Sequence, residues 1–293
     1  MVSSLPPRSS ALPEKAAFLL RWYVEMGADE AIAGEAANRL SPRPPAPPEA
    51  RREGPRPEPV EGRRPEPAEG PRARVLSPPI LLAQSASQAA QSARRLAAEA
   101  LTVEALAARI AEFDACPLKR TATHTVFADG NPKAPLMIIG EAPGAEEDRL
   151  GRPFVGRAGQ LLDRMLAAIG LDRSRVLITN VIYWRPPGNR TPSTAEIASC
   201  LPFVLRHIAL VNPKALLLCG GTATGALLSE SGGITRLRGR WFALEIPGLE
   251  RPVPTLPTYH PAFLLRSPDK KREAWRDLLS LKARLEDREK AEG

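Results

Sequence analysis

The chain has 293 residues, 32 of them proline, with 41 Lys and Arg against 33 Asp and Glu and a formal net charge of +8. The length allows one large folded body or two small ones, the charge suits a polyanionic partner, and three scattered cysteines (Cys116, Cys200, Cys219) exclude a disulfide scaffold. The opening residues carry Glu14 and Lys15 without a long apolar core, and no run approaches the roughly 18 apolar residues of a membrane span, so a soluble cytoplasmic protein is expected.

Residues 14–39 have helical spacing, with Phe18, Leu19, Trp22, Tyr23, Met26 and Ile32 on an apolar face that needs a partner surface to be stable. Residues 1–40 therefore read as an N-terminal helical segment whose protein partner is unknown. Residues 41–80 are rich in Pro, Arg and Glu and repeat Arg-Pro-Glu-Pro at Arg56 and Arg64. Such a stretch cannot bury enough apolar area to fold and reads as a disordered linker. From 81 to 112, Ala and Leu recur at helical spacing, giving one or two helices. Short apolar runs at 136–139, 176–178, 215–218 and 255–256 then read as strands, and 160–169, 194–210, 222–228 and 269–288 as helices. Buried strands separated by helices predict an α/β fold over 81–293 with a mainly parallel sheet and helices on both faces.

The stretch Gly140-Glu141-Ala142-Pro143-Gly144, running on through Glu147-Asp148 to Gly151-Arg152-Pro153-Phe154-Val155-Gly156, directly follows the first apolar run. Open α/β sheets bind ligands at such strand ends. The density of carboxylates makes the turn a poor cradle for phosphate, and it suits a small polar ring better. A phosphate-binding metabolic protein would need a glycine-rich loop opening a helix, which this turn does not supply.

Three further motifs follow in order: Asn180 with Arg185-Pro186-Pro187-Gly188-Asn189-Arg190, then Tyr259-His260-Pro261-Ala262-Phe263-Leu264-Leu265-Arg266, with Val126-Phe127-Ala128-Asp129-Gly130-Asn131-Pro132 as a lead-in. Together with the turn they resemble the uracil-DNA glycosylase superfamily, most closely its family 4, over about residues 113–279. The resemblance implies a three-layer α/β/α sandwich with a central, mainly parallel four-stranded sheet. It also implies a monofunctional DNA glycosylase that flips out uracil, with other deaminated bases as candidate substrates, and leaves an abasic site. The partner implied is DNA containing uracil, met by a monomer associated with the nucleoid. A DNA-binding or damage-sensing protein that keeps the uracil pocket but turns over weakly is the alternative.

Site roles follow residue by residue from the same resemblance. Gly140 and Ala142 shape the pocket, Phe154 stacks on the extruded ring, and Asn180 pairs with uracil O4 and N3–H, one donor and one acceptor. His260 donates to uracil O2 as negative charge develops there. Glu141 and Glu147 are the water-handling candidates, because Ala142 stands where family 1 has its water-orienting aspartate. Glu141 could equally hold the loop, and Asp148 could cap a helix or bond a loop. Leu264 or Leu265 wedges into the gap left by the base, or both pack on the sheet. Arg266, Arg185, Arg190 and Arg238, with Arg236, Arg240, Lys270, Lys271 and Arg272, are the phosphate-contact candidates.

Family 4 members hold a four-iron cluster on four cysteines. Here Cys116 and Cys200 match two of those positions, while Phe113 and Trp184 occupy the others and Cys219 falls outside the pattern. Aromatic side chains supply no thiolate, so the cluster is expected to be lost, replaced by apolar packing, with no metal and no other cofactor.

Overall fold

The structure, a computed structural model, describes residues 79–228, 230 and 232–292. The expected N-terminal helix and nearly all of the linker lie outside the described residues. The region 81–112 forms two helices, α1 (Pro79–Glu99) and α2 (Val103–Glu112). The break between them is made by Thr102, whose hydroxyl caps α2 by accepting from the Ala105 amide at 3.2 Å.

The strands are β1 (Ala128–Gly130), β2 (Leu136–Gly140), β3 (Val176–Asn180), β4 (Ala215–Cys219), β5 (Phe242–Leu244) and β6 (Val253–Thr258). They form one sheet in the order β1-β3-β2-β4-β6-β5. The four expected strands are its parallel core, β3-β2-β4-β6. The sheet is nevertheless six-stranded, not four-stranded, because β1 pairs antiparallel with β3 and β5 antiparallel with β6 at the two edges. Both edge strands are three residues long and largely half-exposed, too short for a period-two pattern to register. β6 is also longer than its apolar pair 255–256 suggests. Pro254 and Pro257 lack ladder donors, yet the strand runs through both between β4 and β5.

The other helices are α3 (Ala145–Leu150), α4 (Arg157–Ala167), α5 (Thr194–Val211), α6 (Gly221–Leu227), α7 (Ile234–Leu237), α8 (Pro261–Arg266) and α9 (Lys271–Glu292). Alternation along the buried strands divides the core into two layers. Met137, Ile139, Leu177, Leu216 and Leu218 pack with α1, α2, α5 and α6 on one face. Leu136, Ile138, Val176, Ile178 and Leu217 pack with α4, α8 and α9 on the other. This is the three-layer arrangement the resemblance implies. By length and composition alone α5 could cross a membrane, contrary to the expectation that no run is apolar enough. It is instead the helix that α1 and α2 pack against, with a Ser193–Glu196 capping box at its start.

Candidate active site

From β2 the chain crosses to β3 on one side of it and later to β4 on the other, so the sheet switches direction between these strands. The crevice above such a point, at the carboxyl ends of the strands, is where α/β sheets bind ligands. A cleft of about 440 Å³ lies there. Glu141, Ala142, Glu147, Phe154, Asn180 and His260 all line it, with Pro186, Arg190, Phe263 and Arg266 around the mouth.

Gly140 and Asn180 are register partners at the ends of β2 and β3. A Cβ on Gly140 would stand 2.6 Å from the Phe154 ring and would strike the Asn180 amide oxygen, so only glycine lets both side chains sit over the strand end. Asn180 is buried, and its Oδ1 has no hydrogen-bond partner among the described residues. A buried orphan acceptor is costly unless a ligand satisfies it. Phe154 is buried with φ 54°, an unusual left-handed conformation for a bulky residue. Its ring lies 5.4 Å from that of His260, with 28° between the planes.

His260 precedes α8 and caps it: Nδ1 accepts from the Ala262 amide at 3.1 Å. With Nδ1 an acceptor, the single proton of the neutral ring sits on Nε2. Burial, aided by the nearby positive charge of Arg266, holds the imidazole down at about 4. At neutral pH the residue is therefore an uncharged donor, the form suited to an oxygen that is gaining charge.

The carboxylates divide into distinct roles. Thr222, at the start of α6, donates to Glu141 Oε2 at 2.6 Å and so orients that carboxylate in the cleft. Glu147, the other expected water-handling carboxylate, lines the cleft and also fixes its wall. Its Oε2 accepts from the Gly144 amide at 3.1 Å and its Oε1 from the Val155 and Gly156 amides at 3.0 and 2.8 Å, so both oxygens tie the loop together. Asp148 is buried in α3 and accepts from the Thr123 and His124 amides, bonding that helix to the loop before β1. Thr222 was not among the expected residues; the only signal for it was its place just after an apolar strand.

Two expected DNA contacts are corrected. Leu264 is fully buried among the α4 and α9 core residues and cannot wedge into a duplex, whereas Leu265 on the same short helix stays half-buried. Arg238 turns inward, with Nε 3.0 Å from Asp277 Oδ2 and Nη2 bonded to Oδ1; both side chains are largely buried, so it is not free for phosphate. Lys271 is also buried, and Lys270 pairs with Glu273. Arg266 is exposed beside the cleft. Arg190 is held at the rim by a two-point pair with Glu196, at 2.9 and 2.6 Å, and Arg185 bonds Asn189 Oδ1 at 2.7 Å.

The residues at the four cluster positions do not fit an iron–sulfur cluster. Phe113 and Trp184 are buried with ring centroids 6.4 Å apart, Phe203 meets Phe113 edge-on at 5.1 Å, and Trp184 Nε1 donates to Thr125 Oγ1. Only Cys116 and Cys200 offer sulfur; the Cys200 thiol bonds Cys116 and brings it down to about 7. Cys219 belongs to the core on the opposite face of the sheet, where burial pushes its thiol up to about 12. Two sulfurs among packed aromatic rings do not make a four-thiolate site.

A model of the uracil DNA glycosylase superfamily matches residues 127–279. The chain is 40% identical over 173 residues to a type-4 uracil-DNA glycosylase of Pyrobaculum aerophilum, covering 58% of this chain and 87% of that protein. It is 42% identical over 159 residues to the type-4 enzyme of Sulfurisphaera tokodaii, covering 53% and 71%. For the type-4 enzyme of Thermotoga maritima the figures are 39% over 166 residues, covering 56% and 84%. The family match runs from just before β1 into α9, enclosing every strand and every cleft residue, and the chain belongs to the uracil-DNA glycosylase superfamily.

Proposed function

We propose that the protein excises uracil from DNA by hydrolysing the C1′–N1 bond, leaving an abasic site. The observation that carries the reading is the convergence, in one cleft, of the orphan Asn180 amide oxygen, the Phe154 ring and a neutral His260 donor. Asn180 Oδ1 accepts from N3–H of the extruded base while its amide donates to O4. Phe154 covers one face of the ring. As the C1′–N1 bond breaks, its electron pair stays on uracil and Nε2–H of His260 stabilises the charge that collects at O2. The oxocarbenium sugar is captured by a water that the Glu141 carboxylate, fixed by Thr222, orients and relieves of its proton.

The described lining residues include no lysine, so no amine nucleophile is placed for a Schiff-base strand cleavage, and hydrolysis without a lyase step follows. Arg266 and Arg190, which line the cleft, and Arg185, bonded to the cleft-lining Asn189, supply sequence-independent phosphate contacts, and Leu265 or the cleft-lining Phe263 fills the vacated stack. The same chemistry runs here without an iron–sulfur cluster, because the positions that would hold one are a packed aromatic core.

The experiment is release of free uracil from a uracil-containing oligonucleotide, followed by alkaline cleavage of the product. Wild type is expected to release uracil, and His260→Ala to lose about 10²–10³-fold in rate, the usual cost of one charge-stabilising donor. Activity is expected to hold at neutral pH and to fall as pH drops through about 4, where His260 protonates. DNA binding without any uracil release would instead indicate a damage sensor.

A further inference from the structure

We infer that Arg173 is a positioning residue for base capture, acting through Phe154; the inference rests on the uracil reading of the cleft. Arg173 lies in the turn just before β3 and does not line the cleft. Its guanidinium reaches back to the strained stretch that carries the stacking ring. Nη2 bonds the Phe154 carbonyl oxygen and Nη1 the Pro153 carbonyl oxygen at 3.3 Å. Two carboxylates orient the same guanidinium: Asp163 from α4, 2.8 Å from Nε, and Asp129 from the edge strand β1. Asp129 is also gripped by Arg152, from the same turn as Phe154.

A bulky residue at φ 54° persists only when its surroundings over-determine it. Here the first turn of α4 passes so close that any side chain at Gly159 would collide with the Phe154 carbonyl, and Gly140 clears room for the ring. Arg173 is the polar part of that enclosure. Its planar fork bonds two carbonyls and two carboxylates at once, which a single ammonium cannot reproduce. The energy of the clamp is therefore spent on the angle at which one ring meets the base. In this arrangement β1, which the sequence did not reveal, matters as the support for Asp129.

The test is a double-mutant cycle between Arg173→Lys and Phe154→Ala, read by single-turnover uracil release and by inhibition with free uracil. Affinity for DNA bearing a stable abasic analogue and the Tm of each variant are measured in parallel. Arg173→Lys is expected to slow excision by about tenfold or more, the scale of a small misplacement of a positioning group. It should weaken inhibition by uracil several-fold while leaving abasic-DNA affinity unchanged, and on the Phe154→Ala background it should change neither quantity further. If Arg173→Lys folds poorly, Asp163→Asn, which removes one anchor of the guanidinium, should show the same pattern at smaller size. Wild type that releases uracil while the two losses simply add would overturn this inference alone, as would an Arg173→Lys enzyme indistinguishable from wild type. Wild type that releases no uracil would overturn the functional reading and this inference with it.

Discussion

The cleft and the aromatic core around Phe113 and Trp184 are fed by the same loop after β3, yet their chemistry has gone opposite ways. In the cleft, polar atoms are left open or poised: a buried amide oxygen without a partner among the described residues, a neutral imidazole with its proton on Nε2, a carboxylate that accepts from the Thr222 hydroxyl. In the aromatic core, Phe113 and Trp184, at two of the positions the family-4 resemblance gives to cluster ligands, are apolar packing, and the free Cys116 and Cys200 thiols are hydrogen-bonded to each other. The contrast teaches that the reacting groups and the structural link between segments are separable. The glycosylase site depends on strand ends and one glycine-lined turn, whereas the neighbouring segments need only be tied together by something, thiolate–iron bonds or packed rings.

The largest effects should break the two regions independently. Trp184→Ala removes a buried side chain and its bond to Thr125, and should cost about 3–5 kcal/mol of stability by chemical denaturation. Below its lowered Tm its excision rate per folded molecule should stay near that of wild type. This is the converse of His260→Ala, which should lose rate by orders of magnitude while costing only about 1 kcal/mol of stability, the loss of one helix cap.

A second pair separates structural from DNA-facing cations. Arg238→Ala strands the buried Asp277 carboxylate and should cost about 3 kcal/mol while leaving the salt dependence of DNA binding unchanged. Arg266→Ala should leave stability unchanged and reduce the slope of log Kd against log salt by about 1.

At neutral pH the smallest effect is that of His207, buried against Phe127 at 4.6 Å between ring centroids with no hydrogen-bond partner for either ring nitrogen among the described residues. Burial lowers it from 6.5 to about 3. Between those values the unfolded chain binds a proton that the folded chain does not, so stability falls as pH falls through that window. His207→Phe should remove that share of the slope, as read by denaturation at pH 4, 5 and 7, without affecting excision.

The parallel core was legible because four apolar runs alternate with helical ones; the edge strands were not, because Ala128–Gly130 and Phe242–Leu244 carry no periodic signal. In the site, Gly140, Phe154, Asn180 and His260 were legible as ordered motifs at strand ends, and the structure brings them together. Roles that depend on distant partners were not. Arg238 meets Asp277 only through the fold, and the Glu147 oxygens are claimed by amides up to nine residues away. Leu264 and Leu265 are adjacent in sequence, and only the packing of α8 on α4 tells which one faces inward. Arg173 shows the same limit most fully, since everything it touches comes from other segments.

The separation of reactive cleft from structural core is tested most directly by measuring iron content and single-turnover uracil release on one preparation of the full chain. The expected result is a colourless protein with well under one iron per chain, no absorbance near roughly 400 nm, and full release of uracil from the oligonucleotide. A brown protein with stoichiometric iron, or excision that rises and falls with iron content, would contradict it.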